Sequence, residues 1–90
     1  MSSSFTFEIM TPQRTVYSSK VSSLVVPGTE GTFGVLANHA ALVADSNGGK
    51  LKIREENVSN EKFFKVGPGT FEVFKNRAVL LTKSAEILSA

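Results

Sequence analysis

The chain reads as an all-β protein, an antiparallel β-sandwich (partly barrel-like) of about eight to ten short strands. Three observations predict this. Apolar and polar residues alternate almost everywhere, turn signals recur about every ten residues, and no segment sustains a helical period. Two sheets packed face to face give each strand one core face and one wet face, as the alternation requires.

The first strand carries Phe5, Phe7 and Ile9 on one side and Thr6, Glu8 and Met10 on the other. Thr11-Pro12-Gln13-Arg14 ends it, because proline cannot donate to a ladder and favours a turn. Residues 15–17 and 20–26 are two further β-rich stretches, the second closing at Pro27-Gly28. Residues 32–36 form a short strand with Phe33 and Val35 inward, Asn38-His39 is a bend, and residues 40–44 make a short buried strand. Asp45-Ser46-Asn47-Gly48-Gly49 is the strongest turn signal of the chain. Leu51 and Ile53 then alternate with Lys50, Lys52 and Arg54, a polar loop covers 55–60, and 61–66 return as a strand. After Gly67-Pro68-Gly69, Phe71 and Val73 alternate with Thr70 and Glu72, and 77–82 follow the turn at Lys75-Asn76. The predicted domain is therefore 1–84. Residues 85–90 are expected to be a short, frayed tail, since the seven residues from the serine cap at 84 to 90 are too few to hold a helix.

Composition bounds the function. Ninety residues bury about 60% of their unfolded surface, enough for one modest core. No apolar run approaches the roughly 20 residues of a membrane-spanning helix, and the N-terminus lacks the pattern of a secretory signal. The absence of cysteine removes disulfides and thiolate metal sites and fits a reducing compartment. Ten Lys and Arg against eight Asp and Glu are spread along the chain, and the one cluster, Lys50 to Arg54, is followed at once by Glu55-Glu56. A solvated strand face explains that cluster better than a nucleic-acid site, which concentrates charge and interleaves aromatics.

Candidate chemistry is sparse. His39 is the single histidine and has no acid within three positions to orient it as a base. Gly28, Gly31 and Gly34 suggest a phosphate loop, but no lysine of the Walker type and no helix pattern follow, and Glu30 repels phosphate. Adjacent carboxylates such as Glu55-Glu56 point to opposite faces of a strand and cannot share a metal. The expectation is no catalytic set, no cofactor and no metal, and a module that binds or couples. Phe63 and Phe74, out of phase with Phe64 and Phe71, are the exposed aromatics open to either face.

The segment 25–36, Val-Val-Pro-Gly-Thr-Glu-Gly-Thr-Phe-Gly-Val-Leu, with His39-Ala40 and Leu42 after it, resembles the N-terminal β-sandwich domain of the ATP synthase epsilon subunit. Phe7-Glu8-Ile9-Met10-Thr11-Pro12 and Leu80-Leu81-Thr82-Lys83-Ser84-Ala85-Glu86 extend the likeness over nearly the whole chain. The chain departs from the family's pattern at Ala37-Asn38, where Pro-Gly is usual, at Pro68 and at Lys83. Asparagine tolerates left-handed backbone nearly as glycine does, which preserves the bend. The resemblance implies a noncatalytic rotor subunit, peripheral on the cytoplasmic face of the bacterial plasma membrane, that couples rotation of the c-ring to the gamma subunit in proton-driven ATP synthesis. It implies c-ring contact at Thr29, Glu30, Gly31 and Thr32 and gamma contact at Thr11, His39 and Leu42. The family's helical hairpin would begin at 85–90, and the chain is expected to lack its inhibition of ATP hydrolysis. The alternative is a free-standing β-sandwich that binds a peptide or carbohydrate.

Overall fold

A computed structural model of the chain describes residues 4–88. Its strands are β1 (Phe5–Met10), β2 (Thr15–Gly28), β3 (Gly31–Leu36), β4 (Leu42–Ser46), β5 (Gly49–Glu55), β6 (Glu61–Val66), β7 (Gly69–Phe74), β8 (Arg77–Thr82) and β9 (Ala85–Leu88). They form one continuous, unclosed sheet in the order β4-β7-β8-β1-β2-β5-β6-β9, with β3 paired to β2. The sheet folds over itself into two layers along β2, whose first half pairs with β1 and whose second half pairs with β3 and β5. A register shift between Val21 and Ser23 marks the bend, where an extra residue increases local twist and lets one strand serve both layers.

Three expectations change here. The short buried strand expected at 40–44 is β4 at Leu42–Ser46, and Val43 is 71% exposed because it points away from the core that Leu42 and Ala44 face. The stretches at 15–17 and 20–26 are one strand, because Ser18 and Ser19 pair with Glu8 and Phe7 although they contribute no apolar signal. The segment expected to fray from residue 85 is instead β9: Ala85 to Leu88 pair with Val66 to Phe63, which supplies β6 with backbone partners on its free edge. Residues 89 and 90 of that expected tail lie outside the described residues, as do 1–3. Pairing is antiparallel throughout except between β1 and β8, which run parallel.

The register lays out the faces row by row. Across the first layer, Ile9, Leu80, Phe71 and Ala44 stand side by side, as do Phe7, Ala78, Val73 and Leu42, all on the inner surface. Phe7, Ile9, Phe71 and Leu80 are fully buried, and Leu24, Leu51 and Ile53 close the core from the second layer. Tilted and edge-on ring contacts run through this core, Phe33 to Phe71 at 5.7 Å, Phe71 to Phe7 at 6.2 Å, Phe7 to Tyr17 at 6.0 Å and Tyr17 to Phe64 at 5.4 Å. Each such pair contributes about 1 kcal/mol beyond the area it buries. At the mouth between the layers, the Tyr17 hydroxyl donates to Glu55 Oε2 at 2.6 Å and Lys62 Nζ approaches the same oxygen at 3.1 Å.

Candidate functional site: an apolar sheet face and a fastened turn

The outer surface of the β4-β7-β8-β1 layer breaks the alternation rule. Its rows are Met10, Leu81, Thr70 and Asp45; Glu8, Val79, Glu72 and Val43; and Thr6, Arg77 and Phe74. Four positions where a wet face calls for polar residues are large and apolar: Val43 is 71% exposed, Phe74 61%, Leu81 43% and Met10 37%. Open apolar grooves lie across them, one of about 450 Å³ between Met10, Leu81 and the Thr11-Pro12 turn, another of about 320 Å³ between Met10, Phe74, Val79 and Leu81. A contiguous exposed patch of this kind marks a surface made to be covered. Glu8 and Arg77, 4.0 Å apart, add the polar points that fix orientation on such a surface.

The turn from Thr29 to Thr32 sits at the tip of the β2–β3 hairpin, all four residues exposed. Gly31 has φ +113, a backbone region that L side chains rarely adopt, so the turn depends on glycine there. The turn is not free: the Thr29 N–H donates to the Asp45 carbonyl at 3.3 Å, joining it to the end of β4. A cleft of about 470 Å³ lies between this turn and Val43, Ala44 and Asp45.

The three other predicted residues are not gathered at one point. Thr11 closes its own turn: its N–H and hydroxyl both donate to the Arg14 carbonyl, at 2.9 and 3.1 Å, and its Oγ1 accepts from the Arg14 N–H at 3.3 Å. It adjoins Met10 at one margin of the apolar face. Leu42 begins β4 at the opposite margin, half-buried against the core. His39 is in the bend between β3 and β4, its Nδ1 2.7 Å from the Ala40 carbonyl. That bend holds as the sequence suggests: Asn38 adopts φ 62, its N–H donates to Asn76 Oδ1 at 2.7 Å, and the His39 N–H donates to the Leu36 carbonyl at 3.2 Å. Sequence reasoning missed Met10, Val43 and Leu81 as surface determinants. For Met10 and Leu81 the signal was available, since each is apolar in the polar phase of its strand; Val43 stands in the all-apolar run 40–44, which has no polar phase to betray it.

Phe63 and Phe74 fall on opposite outer faces. Phe63 lies among Lys50, Lys52 and Lys65 on the second layer, with Lys50 Nζ 4.4 Å from its ring centre. Among the described residues, no group of three or more His, Cys, Asp or Glu is placed to hold a metal, and no helix is long and apolar enough to cross a membrane.

A compact two-layered sandwich with one uncovered apolar sheet and one braced polar turn presents the surfaces of a docking domain. The chain belongs to the family described as ATP synthase, Delta/Epsilon chain, beta-sandwich domain, whose profile matches residues 4–88. It is 48% identical over 81 residues to the ATP synthase epsilon chain of Pelotomaculum thermopropionicum, covering 88% of this chain and 58% of that one. It is 40% identical over 79 residues to the epsilon chain of Chlorobaculum tepidum, covering 88% of this chain and 89% of that one. The chain thus spans little more than half of the first relative and nearly all of the second. In three dimensions it is similar to a chain in the structure of the Euglena gracilis mitochondrial ATP synthase OSCP/F1/c-ring, with TM-score 0.88 and 18% identity over 97% of this chain and 55% of that chain. A chain of the Tetrahymena thermophila mitochondrial ATP synthase central stalk/c-ring gives TM-score 0.73 and 20% identity, covering 90% of this chain and 64% of that chain.

Proposed function

We propose that this chain is a noncatalytic central-stalk subunit of F1Fo ATP synthase, peripheral on the cytoplasmic face of a bacterial inner membrane. The gamma subunit covers the outer face of β4-β7-β8-β1, gripping it from Thr11 at one margin to His39 and Leu42 at the other. The turn Thr29-Glu30-Gly31-Thr32 rests against the polar loops of the c-ring. Rotation of the ring under the proton gradient then turns gamma through this body. The observation that carries the reading is the exposed apolar set Met10, Val43, Phe74 and Leu81, which a solitary small domain does not maintain without a partner. Torque through a joint requires stiffness, and a close-packed sandwich compresses little. The family membership and the relatives named as epsilon chains support this reading over a free-standing peptide or carbohydrate binder.

The test is co-purification of the tagged chain from its native membranes. Recovery of gamma, the catalytic subunits and the c-ring is the expected result. Recovery of the chain alone as a monomer would overturn the proposal.

A further inference from the structure

The turn at Asp45-Ser46-Asn47-Gly48-Gly49 has no task in the reading above, yet its serine is placed like a fastener. Ser46 is 4% exposed, one of only three buried polar or charged residues among those described. Its hydroxyl donates to the carbonyl of Pro27 at 2.5 Å and accepts from the Gly48 N–H at 3.1 Å. Next to it, the Asp45 carbonyl accepts from the Thr29 N–H at 3.3 Å. The turn is itself wedged: Gly48 has φ +90, and a Cβ there would lie 2.7 Å from the Val66 carbonyl oxygen and 2.9 Å from Gly67 C.

These bonds connect two parts of the molecule that sequence separates. Pro27 and Thr29 belong to the β2–β3 hairpin, whose tip is the ring-facing turn. Ser46 and Asp45 end β4, whose Val43 lies on the apolar face and whose Leu42 stands at its margin. Hairpin tips held only by exposed bonds open locally at little cost in free energy, whereas a bond buried against the body opens with it. A buried serine without its partner also leaves a carbonyl unsatisfied, so the contact resists separation.

We infer that Ser46 is a positioning residue for the ring-facing turn. By holding the Pro27 carbonyl against β4, it passes load from Thr29–Thr32 directly into the sheet that carries the apolar face, without bending of the β2–β3 hairpin. The inference rests on the rotor reading proposed above.

The test uses the full chain as wild type, Ser46→Ala and Ser46→Thr, with three measurements on each. These are amide hydrogen exchange at Thr29 and Gly48, affinity for purified gamma, and affinity of the chain–gamma complex for stripped membranes that hold the c-ring. For Ser46→Ala the expected result is about tenfold faster exchange at both amides and about tenfold weaker membrane binding, with gamma affinity unchanged. Ser46→Thr, which keeps the hydroxyl, restores both. Wild-type exchange in Ser46→Ala would overturn the inference, and so would a parallel loss of gamma affinity, which signals general loosening of the fold. A wild-type chain that binds neither gamma nor membranes removes the rotor reading instead, and the exchange measurement then still decides whether Ser46 fastens the turn.

Discussion

Truncating Phe74 separates docking from folding more cleanly than any other change in this molecule. Its side chain is 61% exposed at the margin of the apolar face, and only the Lys75 ammonium, 5.3 Å from the ring centre, stands over it. A phenylalanine side chain offers on the order of 200 Å², so about 120 Å² of Phe74 is left for a partner to cover. At about 25 cal/mol per Å² that area is worth about 3 kcal/mol, of which alanine forfeits about 2. Since about 1.4 kcal/mol is tenfold in affinity, Phe74→Ala is expected to weaken gamma binding about 30-fold. Folding stability should move less, by about 1 kcal/mol, because only about 80 Å² of Phe74 is covered in the fold and the ring is not in the core. Phe63→Ala on the opposite outer face is the control and should leave gamma affinity unchanged. Isothermal titration against gamma, paired with thermal unfolding of each variant, reads both quantities. Binding of Phe74→Ala within about threefold of wild type, or a loss produced equally by Phe63→Ala, would refute the assignment of this face.

Three further outcomes are expected. Gly69→Ala should destabilise the fold by about 3 kcal/mol, lowering the melting temperature by more than about 10 °C, because the added Cβ would collide with the Leu81 carbonyl oxygen and backbone must shift. Phe71→Ala should cost about 4 kcal/mol in chemical denaturation, since its fully buried ring joins Phe7 to Phe33 and leaves a cavity between the layers. Tyr17→Phe should cost about 1 kcal/mol at neutral pH and flatten the pH profile of stability at both ends. The Tyr17 hydroxyl, with help from Lys62, holds the Glu55 carboxyl below its ordinary range, so its contribution is present above about pH 4.3 and is lost as pH falls through the lowered value. Burial, reinforced by the bond to Glu55, pushes the Tyr17 phenol far above its ordinary value, so its contribution is present below about pH 10 and declines as pH rises beyond it. The phenylalanine variant lacks the alkaline decline and shows a weaker acid one in denaturation at graded pH.

What was legible in the sequence followed from the two-residue period. The inward sets of β1, β5, β7 and β8 are alternating apolar residues, and glycine, proline and asparagine punctuate them where the chain turns. Neither the continuity of β2 nor the strand at Ala85–Leu88 could be read that way. Ser18 and Ser19 look like a turn until their backbone is seen paired to β1. Ala, Glu and Leu favour helix locally, but four residues gain more by pairing with the free edge of β6 than any helical turn could supply. The parallel pairing of β1 with β8 joins residues about seventy positions apart and has no local signature. At the candidate site, the glycines marked the turn at Thr29–Thr32 as a turn and a ring contact was implied by the family resemblance alone, whereas Ser46 was hidden because a serine in a turn cluster reads as solvated. Its burial comes from the approach of Pro27, which only the folded topology creates.

The two outer faces share one backbone logic and differ in what occupies the outward positions, and that difference supports the docking side proposed above. On the second layer the outward rows hold Lys50 with Lys65, Lys52 with Phe63, and Arg54 with Glu61. Glu61 lies 3.4 Å from Lys52 and 2.9 Å from Arg54, and Lys50 caps the Phe63 ring, so the charged rows of this face are paired among themselves, while Leu36, in the row of Ser23 and Arg54, is a separate apolar residue at 64% exposure. Exposed pairs of this kind add little stability, but they keep a strand surface hydrated and resist nonspecific association. On the first layer Met10, Val43, Phe74 and Leu81 have no such cover, with Lys75 alone near the Phe74 ring. Folding covers only part of them, and the exposed part of Val43 and Phe74 in particular stays in water when the core closes. The free energy of their exposed parts is released only when another surface removes that water, which is the physical ground for proposing the first layer as the docking side.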